Sequence, residues 1–357
     1  MTYKIRIQSS GREFVVEKKE TVLAAALRQG VMLPYSCRNG ACGTCKGKLL
    51  SGQVDYGTYE AKAMSEAERE QGHALFCQAK PLSDLVIEAK EIAAAKDIPI
   101  RIMPARVVQM EKLADDVMRL SLKLAEGQRL QYLAGQYIDI LLSGNQRRSF
   151  SLSTSPLSDE LLQLHIRHVP GGFFTGHVFT KMQEKDLLRF QGPFGMFFLR
   201  EDDVQGSTNV AGDRMSRATS DRPAILVAGG TGFAPIKGIL EYAFTKGVMR
   251  PLHLYWGVRA KRDLYLHELP QAWAREHGNF KFTPVLSETR PEDHWDGRQG
   301  WVHEAVAADY PDLSRHEVYA SGPPPMIDAL KAVVKKHGLP EDRLYYDSFE
   351  FAHASAP

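Results

Sequence analysis

Cysteine spacing constrains this chain more than any other feature of its sequence. Cys37, Cys42 and Cys45 lie within nine residues, whereas Cys77 lies alone downstream, and a glycine stands in each of the two short gaps. Disulfide bonds are the ordinary alternative, but they are typical of small secreted proteins. This chain has 357 residues, and its first residues alternate between polar and apolar instead of forming the apolar core of a secretory signal. We therefore expect the four cysteines to act together as ligands.

The order Cys-x4-Cys-x2-Cys with a distant fourth cysteine is the spacing that binds plant-type 2Fe-2S clusters. Thiolate sulfur suits a soft iron–sulfur centre, and ligands crowded on one loop need the backbone freedom that Gly40 and Gly43 provide. A structural zinc site is the second interpretation, but zinc cysteines usually come as two separated short pairs. We predict that all four cysteines hold a 2Fe-2S cluster, which leaves no thiol to serve as a nucleophile.

Composition excludes several classes of protein. At 357 residues the chain is too long for a single core, so two or three domains are expected. A formal net charge of +2 gives no basic footprint for nucleic acid. The sequence also lacks the apolar stretch of about 18 residues that a membrane-spanning helix needs. We expect a cytoplasmic protein that binds neither nucleic acid nor a membrane.

Turn residues and changes of periodicity divide the chain into three regions. Residues 3–7 and 13–16 alternate like the strands of a hairpin, and a helix is predicted at residues 21–28, before the cysteine loop. Residues 93–103 read as a connector, after which short alternating runs punctuated by Gly and Pro predict an antiparallel barrel. Residues 201–222 are polar and predict a mobile loop. Strand and helix alternation after this loop predicts an α/β domain with a parallel sheet.

Two segments of the barrel region carry polar residues suited to a phosphate-bearing cofactor. Residues 147–151 read Arg-Arg-Ser-Phe-Ser, which alone is equally typical of an exposed strand face. Residues 165–169 lead into a Pro-Gly-Gly turn at residues 170–172, and Thr175 precedes a helix predicted at residues 176–182. Glycines, a hydroxyl group and a helix N-terminus together form an anion-binding nest, so we predict a pyrophosphate site there.

A glycine-rich turn marks a second phosphate site. Gly230-Thr231-Gly232 follows the apolar run at residues 224–228, and Pro235 stands where the standard dinucleotide fingerprint has Gly or Ala. Proline suits the first turn of a helix. A strand–turn–helix without a ligand is the alternative, but ligands are common at the strand ends of such sheets. The turn is therefore interpreted as a place where a backbone approaches a cofactor phosphate.

With these motifs, nearly the whole chain resembles the ferredoxin–NADP reductase superfamily, and within it the reductases with an N-terminal 2Fe-2S domain. The resemblance implies a multidomain fold: a β-grasp 2Fe-2S ferredoxin domain at residues 1–92, an antiparallel β-barrel FAD-binding domain at residues 103–200 and an α/β NAD(P)-binding domain with a parallel sheet at residues 221–357. It implies hydride transfer from NADH, with NADPH as the alternative, to FAD. Single electrons then pass through the cluster to a partner protein.

The resemblance also implies roles for individual residues. Flavin contacts are implied for Arg148, Ser149, Phe150, Ser151, His165, Arg167, Val169, Gly171, Gly172 and Thr175, with Phe150 in place of the family's tyrosine. Nicotinamide contacts are implied for Gly230, Thr231, Gly232, Pro235, Arg259, Gly322, Pro323 and Met326. Positions at the reacting groups are implied for Ser151, for Ser321, which stands where the family commonly has cysteine, and for Phe349.

The electron acceptor is open between two kinds of partner protein. Some members of the family serve a dehydrase in deoxysugar synthesis, and residues 132–139 and 147–149 resemble this group. Others are reductase components of multicomponent aromatic-ring oxygenases. The family makes a monomer the expected state. A redox-sensing iron–sulfur binding protein is the alternative of another class, but the missing basic footprint and the nicotinamide motif argue against it.

Overall fold

The computed structural model describes residues 2–92, 98–158, 160–200 and 221–350. Contacts divide the chain into two units, of which unit 1 comprises Met1–Arg101, Gly192–Met196 and Asp347–Pro357, and unit 2 comprises Ile102–Gln191 and Phe197–Tyr346. The predicted loop at residues 201–222 lies, for residues 201–220, outside the described residues. No helix of the described segments is long and apolar enough to cross a membrane. The domain boundaries proposed from the sequence stay predictions.

Unit 1 contains a mixed five-stranded sheet of the β-grasp type. Its strands and helices are β1 (Tyr3–Ile7), β2 (Glu13–Val16), α1 (Val22–Arg28), β3 (Lys46–Ser51), β4 (Val54–Asp55), α2 (Glu66–Glu70), β5 (His73–Leu75), β6 (Lys80–Pro81) and β7 (Leu85–Glu88). The strand order is β2-β1-β7-β3-β5, in which β1 pairs antiparallel with β2 and parallel with β7, and a second ladder joins β4 to β6. The antiparallel pairing of β1 with β2 confirms the predicted hairpin, and α1 confirms the predicted helix. Thr21 caps α1 by accepting a 3.2 Å hydrogen bond from the Ala24 amide.

The second sheet is the predicted barrel. Its elements are β8 (Arg101–Ala114), β9 (Val117–Leu124), β10 (Tyr137–Leu141), β11 (Arg147–Ser151), β12 (Leu162–Arg167), α3 (Phe173–Thr180) and β13 (Leu187–Phe194). The strand order is β11-β10-β13-β8-β9-β12, and an antiparallel bridge between Leu152 and Leu164 joins the two edges. This closure surrounds an apolar core that includes Val107, Leu120 and Ile138.

Two expected boundaries in this region are wrong. The sequence predicts a connector over residues 93–103, but its last three residues belong to β8, which begins at Arg101. The helix expected at residues 176–182 begins at Phe173, because the amide of Gly176 already closes a 2.7 Å helical bond to the carbonyl of Gly172. The glycine turn is therefore the helix N-cap itself and not a segment that precedes the helix.

The third sheet is parallel, as predicted. Its elements are β14 (Ala224–Gly229), α4 (Phe233–Thr245), β15 (Leu252–Val258), α5 (Glu268–Glu276), β16 (Phe280–Leu286), β17 (Arg298–Gln299), α6 (Val302–Asp309), β18 (Glu317–Gly322), α7 (Pro324–Lys336) and β19 (Leu344–Ser348). The order is β17-β16-β15-β14-β18-β19, and β14 pairs in parallel with both β15 and β18. The chain reverses its direction of growth at β14, and the crevice beyond the carboxyl end of such a strand is where open α/β sheets bind ligands.

Candidate functional site

The four cysteines lie together in unit 1 as free thiols, with Cys37 partly exposed and the other three buried. A hydrogen bond between Cys37 and Cys42 raises the pKa of the Cys37 thiol and lowers that of Cys42 to about 6. A second bond, between Cys45 and Cys77, raises the pKa of Cys45 and lowers that of Cys77. Within the described residues no group of three or more His, Cys, Asp or Glu is arranged to hold a metal ion, and the thiols lie instead in two pairs. Two thiolates for each of two irons are the donor set of a 2Fe-2S cluster.

Two glycines shape the cysteine loop. Gly40 (φ +84°) and Gly43 (φ +78°) both have left-handed backbones that favour glycine. A Cβ added to Gly40 would lie 2.8 Å from the carbonyl oxygen of Thr58, and one added to Gly43 would lie 3.0 Å from that of Ala63. Only glycine therefore allows the loop to pack this closely against the neighbouring backbone.

In unit 2, His165 and Arg167 lie on one face of β12 with buried polar atoms that have no partner. These atoms are Nε2 of His165 and the Nε and Nη2 atoms of Arg167, whose Nη1 is 3.5 Å from a carboxylate oxygen of Asp116. Nδ1 of His165 is 3.1 Å from the hydroxyl of Tyr265. Burial, with Lys237 nearby, lowers the pKa of His165 well below its usual range, so the imidazole is neutral. Buried donors without acceptors are costly, so these atoms fit a site for a polar or anionic ligand.

The turn after β12 presents backbone amides at the start of α3. Gly171 has φ +73°, Gly172 is the extended N-cap of α3, and a Cβ on Gly172 would lie 2.9 Å from the carbonyl oxygen of Val169. The hydroxyl of Thr175 accepts a 3.1 Å hydrogen bond from the Val169 amide and so fixes the turn. Free amides at a helix N-terminus fit a pyrophosphate.

The predicted flavin residues on β11 fall on two faces. Arg148 and Phe150 are half-buried on one face, where the Phe150 ring lies 5.4 Å from that of Phe174. Ser149 is exposed on the other face and donates a 2.7 Å hydrogen bond to the buried Asp139 carboxylate. Because alternate residues of a strand point in opposite directions, Arg148 and Phe150 share a face that Ser149 does not.

The glycine turn after β14 is a single 3-10 turn at Gly230–Gly232 that leads directly into α4. Thr231 is half-buried, whereas Pro235 is buried within the first turn of α4. Proline is tolerated there because the first helical amides have no acceptor in the helix.

This turn lies between the polar face of β12 and the end of β18. A Cβ on Gly230 would lie 3.4 Å from Nη2 of Arg167, so the predicted flavin and nicotinamide residues meet at this point. A Cβ on Gly232 would collide with the carbonyl oxygen of Ser321. The structure thus brings together residues of β12, the glycine turn and β18 that lie far apart in the sequence.

Three further predicted nicotinamide residues, Gly322, Pro323 and Met326, pack around the end of β14. A Cβ on Gly229 would lie 2.5 Å from the Met326 sulfur and 2.8 Å from Cδ of Pro323, and one on Gly322 would lie 3.0 Å from Cα of Gly229. Arg259 follows β15 and is largely exposed, with its Nε 3.4 Å from a carboxylate oxygen of Asp263.

The three residues predicted at the reacting groups lie in different places. Ser151 is buried at the end of β11, and Ser321 is fully buried with a hydroxyl that has no partner. Phe349 belongs to unit 1, whereas the two serines belong to unit 2, so the position of Phe349 beside the flavin stays a prediction.

Sequence reasoning missed two aromatic residues of this site. Trp256 donates a 2.9 Å hydrogen bond from Nε1 to the carbonyl of Gly230 and stacks on Phe233 with ring centroids 4.0 Å apart. Tyr265, the partner of His165, packs edge-on against Trp256 at 5.1 Å. The pairing of β15 with β14 brings Trp256 to the turn, and it is the structure that shows this pairing; nothing in the sequence pairs Tyr265 with a residue 100 positions away.

Comparison with known protein families accounts for most of the chain. Residues 5–82 match the 2Fe-2S iron-sulfur cluster binding domain, residues 104–199 the oxidoreductase FAD-binding domain and residues 226–332 the oxidoreductase NAD-binding domain. These matches confirm the predicted cofactors, a 2Fe-2S cluster, FAD and a nicotinamide dinucleotide, and they confirm the predicted fold class.

Relatives of known function cover nearly the whole chain. The CDP-6-deoxy-L-threo-D-glycero-4-hexulose-3-dehydrase reductase of Yersinia pestis is 35% identical over 349 residues, which are 98% of this chain and 99% of the relative. The phenol 2-monooxygenase reductase component DmpP of Pseudomonas sp. (strain CF600) is 33% identical over 354 residues, covering 98% and 95%. The crystal structure of the Amycolatopsis reductase GcoB superposes with a TM-score of 0.78 at 33% identity and covers 97% of this chain and 98% of that one. The chain therefore belongs to the family of NAD(P)H-dependent electron-transfer reductases that combine a 2Fe-2S domain, an FAD-binding domain and an NAD-binding domain.

Proposed function

We propose that this reductase oxidises NADH at the glycine turn after β14, holds FAD along β12 and α3, and delivers electrons through the four-cysteine cluster to a dehydrase. The observation that carries the proposal is the approach of Gly230 to Arg167, because it joins the nicotinamide turn to unpartnered polar atoms of the flavin strand. Bound FAD would take up two electrons as a hydride and release them singly, which a cluster that accepts one electron at a time requires.

The residues of β12 and α3 have complementary parts in holding FAD. Arg167 would supply positive charge and two unused donor atoms to the pyrophosphate, whereas the first backbone amides of α3, just after the Gly171–Gly172 turn, would supply neutral donors. His165 adds a neutral imidazole nitrogen, which can bond to the cofactor without adding charge to the site. The flavin edge is accordingly placed near Ser151 and Phe150 at the end of β11.

The nicotinamide end is assigned to Gly230, Thr231, Gly232 and Ser321. Trp256 fixes the carbonyl of Gly230 by its 2.9 Å hydrogen bond, so this backbone keeps one orientation while a dinucleotide lies over it. The unpartnered hydroxyl of Ser321 is available to a carboxamide or ring edge, a role that the family's cysteine cannot fill by hydrogen bonding as strongly.

NADH is favoured over NADPH because Arg259 already has an acidic partner. Its Nε is 3.4 Å from Asp263, which leaves less positive charge for the extra phosphate of NADPH. We expect kcat/KM with ferricyanide as acceptor to be at least about tenfold higher for NADH. An Asp263→Asn variant should lower this ratio by improving the use of NADPH. Equal values for the two cofactors in the unaltered protein would contradict the assignment.

An anaerobic titration tests the electron path. Purified holoprotein is titrated with NADH, and separately with NADPH, while flavin and cluster absorbance are followed. Since FAD takes two electrons and the cluster one, we expect both signals to bleach with the uptake of about three electrons per chain. Bleaching of the flavin with an oxidised cluster at the end point would overturn the proposed path.

The acceptor is assigned from the relatives. The Yersinia protein is named as the reductase of a CDP-6-deoxyhexulose dehydrase, and the Pseudomonas protein as the reductase component of a phenol monooxygenase. We place this chain with the first and keep the oxygenase component as the second candidate. Purified dehydrase and a purified oxygenase component are each mixed separately with the NADH-reduced protein. We expect the dehydrase to reoxidise the cluster faster. Faster cluster reoxidation by the oxygenase component would reverse the assignment.

The proposal also takes the protein to be a cytoplasmic monomer, as expected for the family. Light scattering of the holoprotein should give a mass near 40.0 kDa. A dimer mass that does not change on dilution would contradict this part.

A further inference from the structure

Both chain neighbours of Cys37 are held by residues that are distant in sequence. The hydroxyl of Ser36 donates a 2.9 Å hydrogen bond to Oδ1 of Asp347, and both side chains are buried. On the other side, the guanidinium carbon of Arg38 lies 3.8 Å from the ring centroid of Phe194. We name Ser36, Arg38, Phe194 and Asp347 the cluster-loop anchor.

The hydrogen bond between Ser36 and Asp347 stabilises a buried carboxylate. A buried carboxylate is costly unless hydrogen bonds replace its water, and the Ser36 hydroxyl supplies one of these bonds. The segment that follows Asp347 is held by two more contacts, since Lys62 lies 3.1 Å from a carboxylate oxygen of Glu350 and Ser348 donates a 2.9 Å hydrogen bond to the same side chain. The contacts of Asp347 with Ser36 and of Glu350 with Lys62 therefore join this segment to the rest of unit 1, and the Ser348–Glu350 bond is internal to the segment.

The backbone of Arg38 adds a second observation. Its φ of +58° is left-handed, a conformation that non-glycine residues adopt at a cost of order 1 kcal/mol or more. Such a conformation persists only where surrounding contacts hold it, and the contact with the Phe194 ring is one of these. The backbone on either side of Cys37 is thus set by contacts outside the loop.

The anchor residues continue into strands of the two other sheets. Phe194 is the last residue of β13 in the barrel, and Asp347 is the next to last residue of β19 in the parallel sheet. The contacts themselves lie within unit 1, which includes Gly192–Met196 and Asp347–Pro357. The anchor is therefore formed entirely by contacts within unit 1.

We propose that the cluster-loop anchor holds Cys37 in the position that electron transfer into the cluster requires, an inference that rests on the proposed electron path. A bound flavin reduced by one hydride would give up two electrons and one proton in all. Each transfer would reduce one ferric iron to ferrous, and the single proton would pass to solvent in the course of the two transfers. The second electron follows after the acceptor has reoxidised the cluster. NADH supplies both electrons. Because the rate depends steeply on the position of the reacting groups, loss of an anchor contact slows this transfer without affecting hydride uptake.

Two anchor variants and two matched controls test the proposal. Ser36→Ala removes the buried hydroxyl, and Arg38→Ala removes the cation over Phe194. Ser83→Ala is the control for the first, since Ser83 accepts a 2.9 Å bond from the Gln53 amide elsewhere in unit 1. Arg69→Ala is the control for the second, since Arg69 lies over the Tyr56 ring at 4.4 Å and has no part in the anchor.

Three measurements separate positioning from a loss of structure. Hydrogen–deuterium exchange should become faster in residues 344–350 of Ser36→Ala and in residues 192–196 of Arg38→Ala, and in neither segment of the controls. The electron paramagnetic resonance spectrum of the dithionite-reduced cluster should stay that of the unaltered protein. After rapid mixing with NADH, flavin bleaching should keep its rate, whereas cluster bleaching should slow by roughly tenfold or more. Ser36→Thr, which keeps the hydroxyl, should restore the rate of cluster bleaching.

Two outcomes overturn the proposal. In the first, exchange and cluster bleaching in the anchor variants equal those of the unaltered protein. In the second, the anchor variants lose the cluster spectrum. Ser36 and Arg38 would then be required for the cluster to be bound at all, and not for its position. Failure of the electron path itself has a different signature, since the unaltered protein would not bleach with NADH while the exchange comparison would still report on the anchor.

Discussion

Buried histidines make the stability of unit 2 sensitive to acid. His253 lies on β15 with one ring nitrogen 2.8 Å from the Tyr310 hydroxyl and the other 2.8 Å from the Thr283 hydroxyl. Burial, assisted by Lys281, lowers its pKa to about 3. Folding therefore requires this imidazole to be neutral, as it does for His165, whose pKa is also lowered.

The pH dependence of the free energy of unfolding should show that His253 is neutral in the folded protein. The unfolded state binds a proton below a pKa of about 6.5, whereas folded His253 does not, so stability is lost as pH falls from 6.5 towards 3. Between pH 7.5 and 5.5, the free energy of unfolding should fall by about 1.4 kcal/mol less in His253→Gln than in the unaltered protein. Urea unfolding followed by tryptophan fluorescence suits this test, because all four tryptophans lie in unit 2.

The control for this prediction is His177→Gln, which changes an exposed histidine of unit 2. It should leave the pH dependence unchanged. A pH dependence that is the same in His253→Gln and the unaltered protein would show that His253 is protonated in the folded state.

Two glycines should respond in opposite directions to the same added methyl group. An alanine Cβ at position 232 would meet the backbone carbonyl of Ser321, which cannot move as a side chain can. We expect Gly232→Ala to lower the free energy of unfolding by about 3 kcal/mol. Gly176 lies inside α3 with nothing within 4 Å of an added Cβ, so Gly176→Ala should raise it by roughly 0.5–1 kcal/mol. Urea unfolding of both variants would refute the argument if Gly232→Ala were neutral.

At the scale of elements, one buried charge network joins the starts of three neighbouring parallel strands. Glu317 begins β18 and accepts hydrogen bonds from Arg250, at 2.6 Å, and from the Tyr319 hydroxyl, at 2.8 Å. Arg250 precedes β15 and also donates to the carbonyl of Arg222, just before β14. Arg250 and Glu317 are only 5% and 2% exposed, so each charge depends on the other for its solvation.

Removing one partner of this network should be costly. Glu317→Ala leaves the Arg250 guanidinium buried without its carboxylate, so we expect the free energy of unfolding to fall by about 3–5 kcal/mol. Glu341→Ala is the control, because it removes a carboxylate from an exposed pair with Lys335 and should cost less than about 1 kcal/mol. If urea unfolding gave the same loss of unfolding free energy in the two variants, burial would not make removal of the Arg250 partner more costly than removal of an exposed one.

Elements with local signals were predictable from the sequence. The helix at residues 21–28 has its own cap and apolar spacing, and the parallel sheet follows from strand and helix alternation. The sequence predicts the start of α3 three residues too late, because glycine and proline are typical of a loop, whereas hydrogen bonding closes the helix from Gly172. Turn residues show where the chain bends, but the first helical bond depends on backbone angles that composition does not specify.

The candidate site divides in the same way. Glycine turns and cysteine spacing are local, so Gly230–Gly232 and the cysteine loop could be found in the sequence. The side chains that complete the site come from elsewhere in the chain, as Tyr265 reaches His165 and Asp347 reaches Ser36 across 311 positions. Such pairs are determined by the packing of whole sheets, and no periodicity in the sequence records them.

At the scale of the whole molecule, three cofactor sites on one chain imply that electrons pass from one cofactor to the next. The last transfer, into the cluster, can be removed without preventing reduction of the flavin. A nicotinamide would give a hydride, a bound flavin would take up its two electrons, and the cluster would accept them one at a time and pass them on. The flavin end should work without it, because the flavin and nicotinamide residues of unit 2 include none of the four cysteines.

Loss of the cluster should therefore cut the path at a defined point. Cys45→Ala removes a buried ligand from the Cys45–Cys77 pair, so the cluster should be lost. Anaerobic titration with NADH should then show uptake of about two electrons per chain in place of about three. Turnover of NADH with ferricyanide should persist, whereas reduction of cytochrome c should fall by more than about tenfold. Undiminished reduction of cytochrome c would mean that electrons leave from the flavin directly, and the cluster would then need another role.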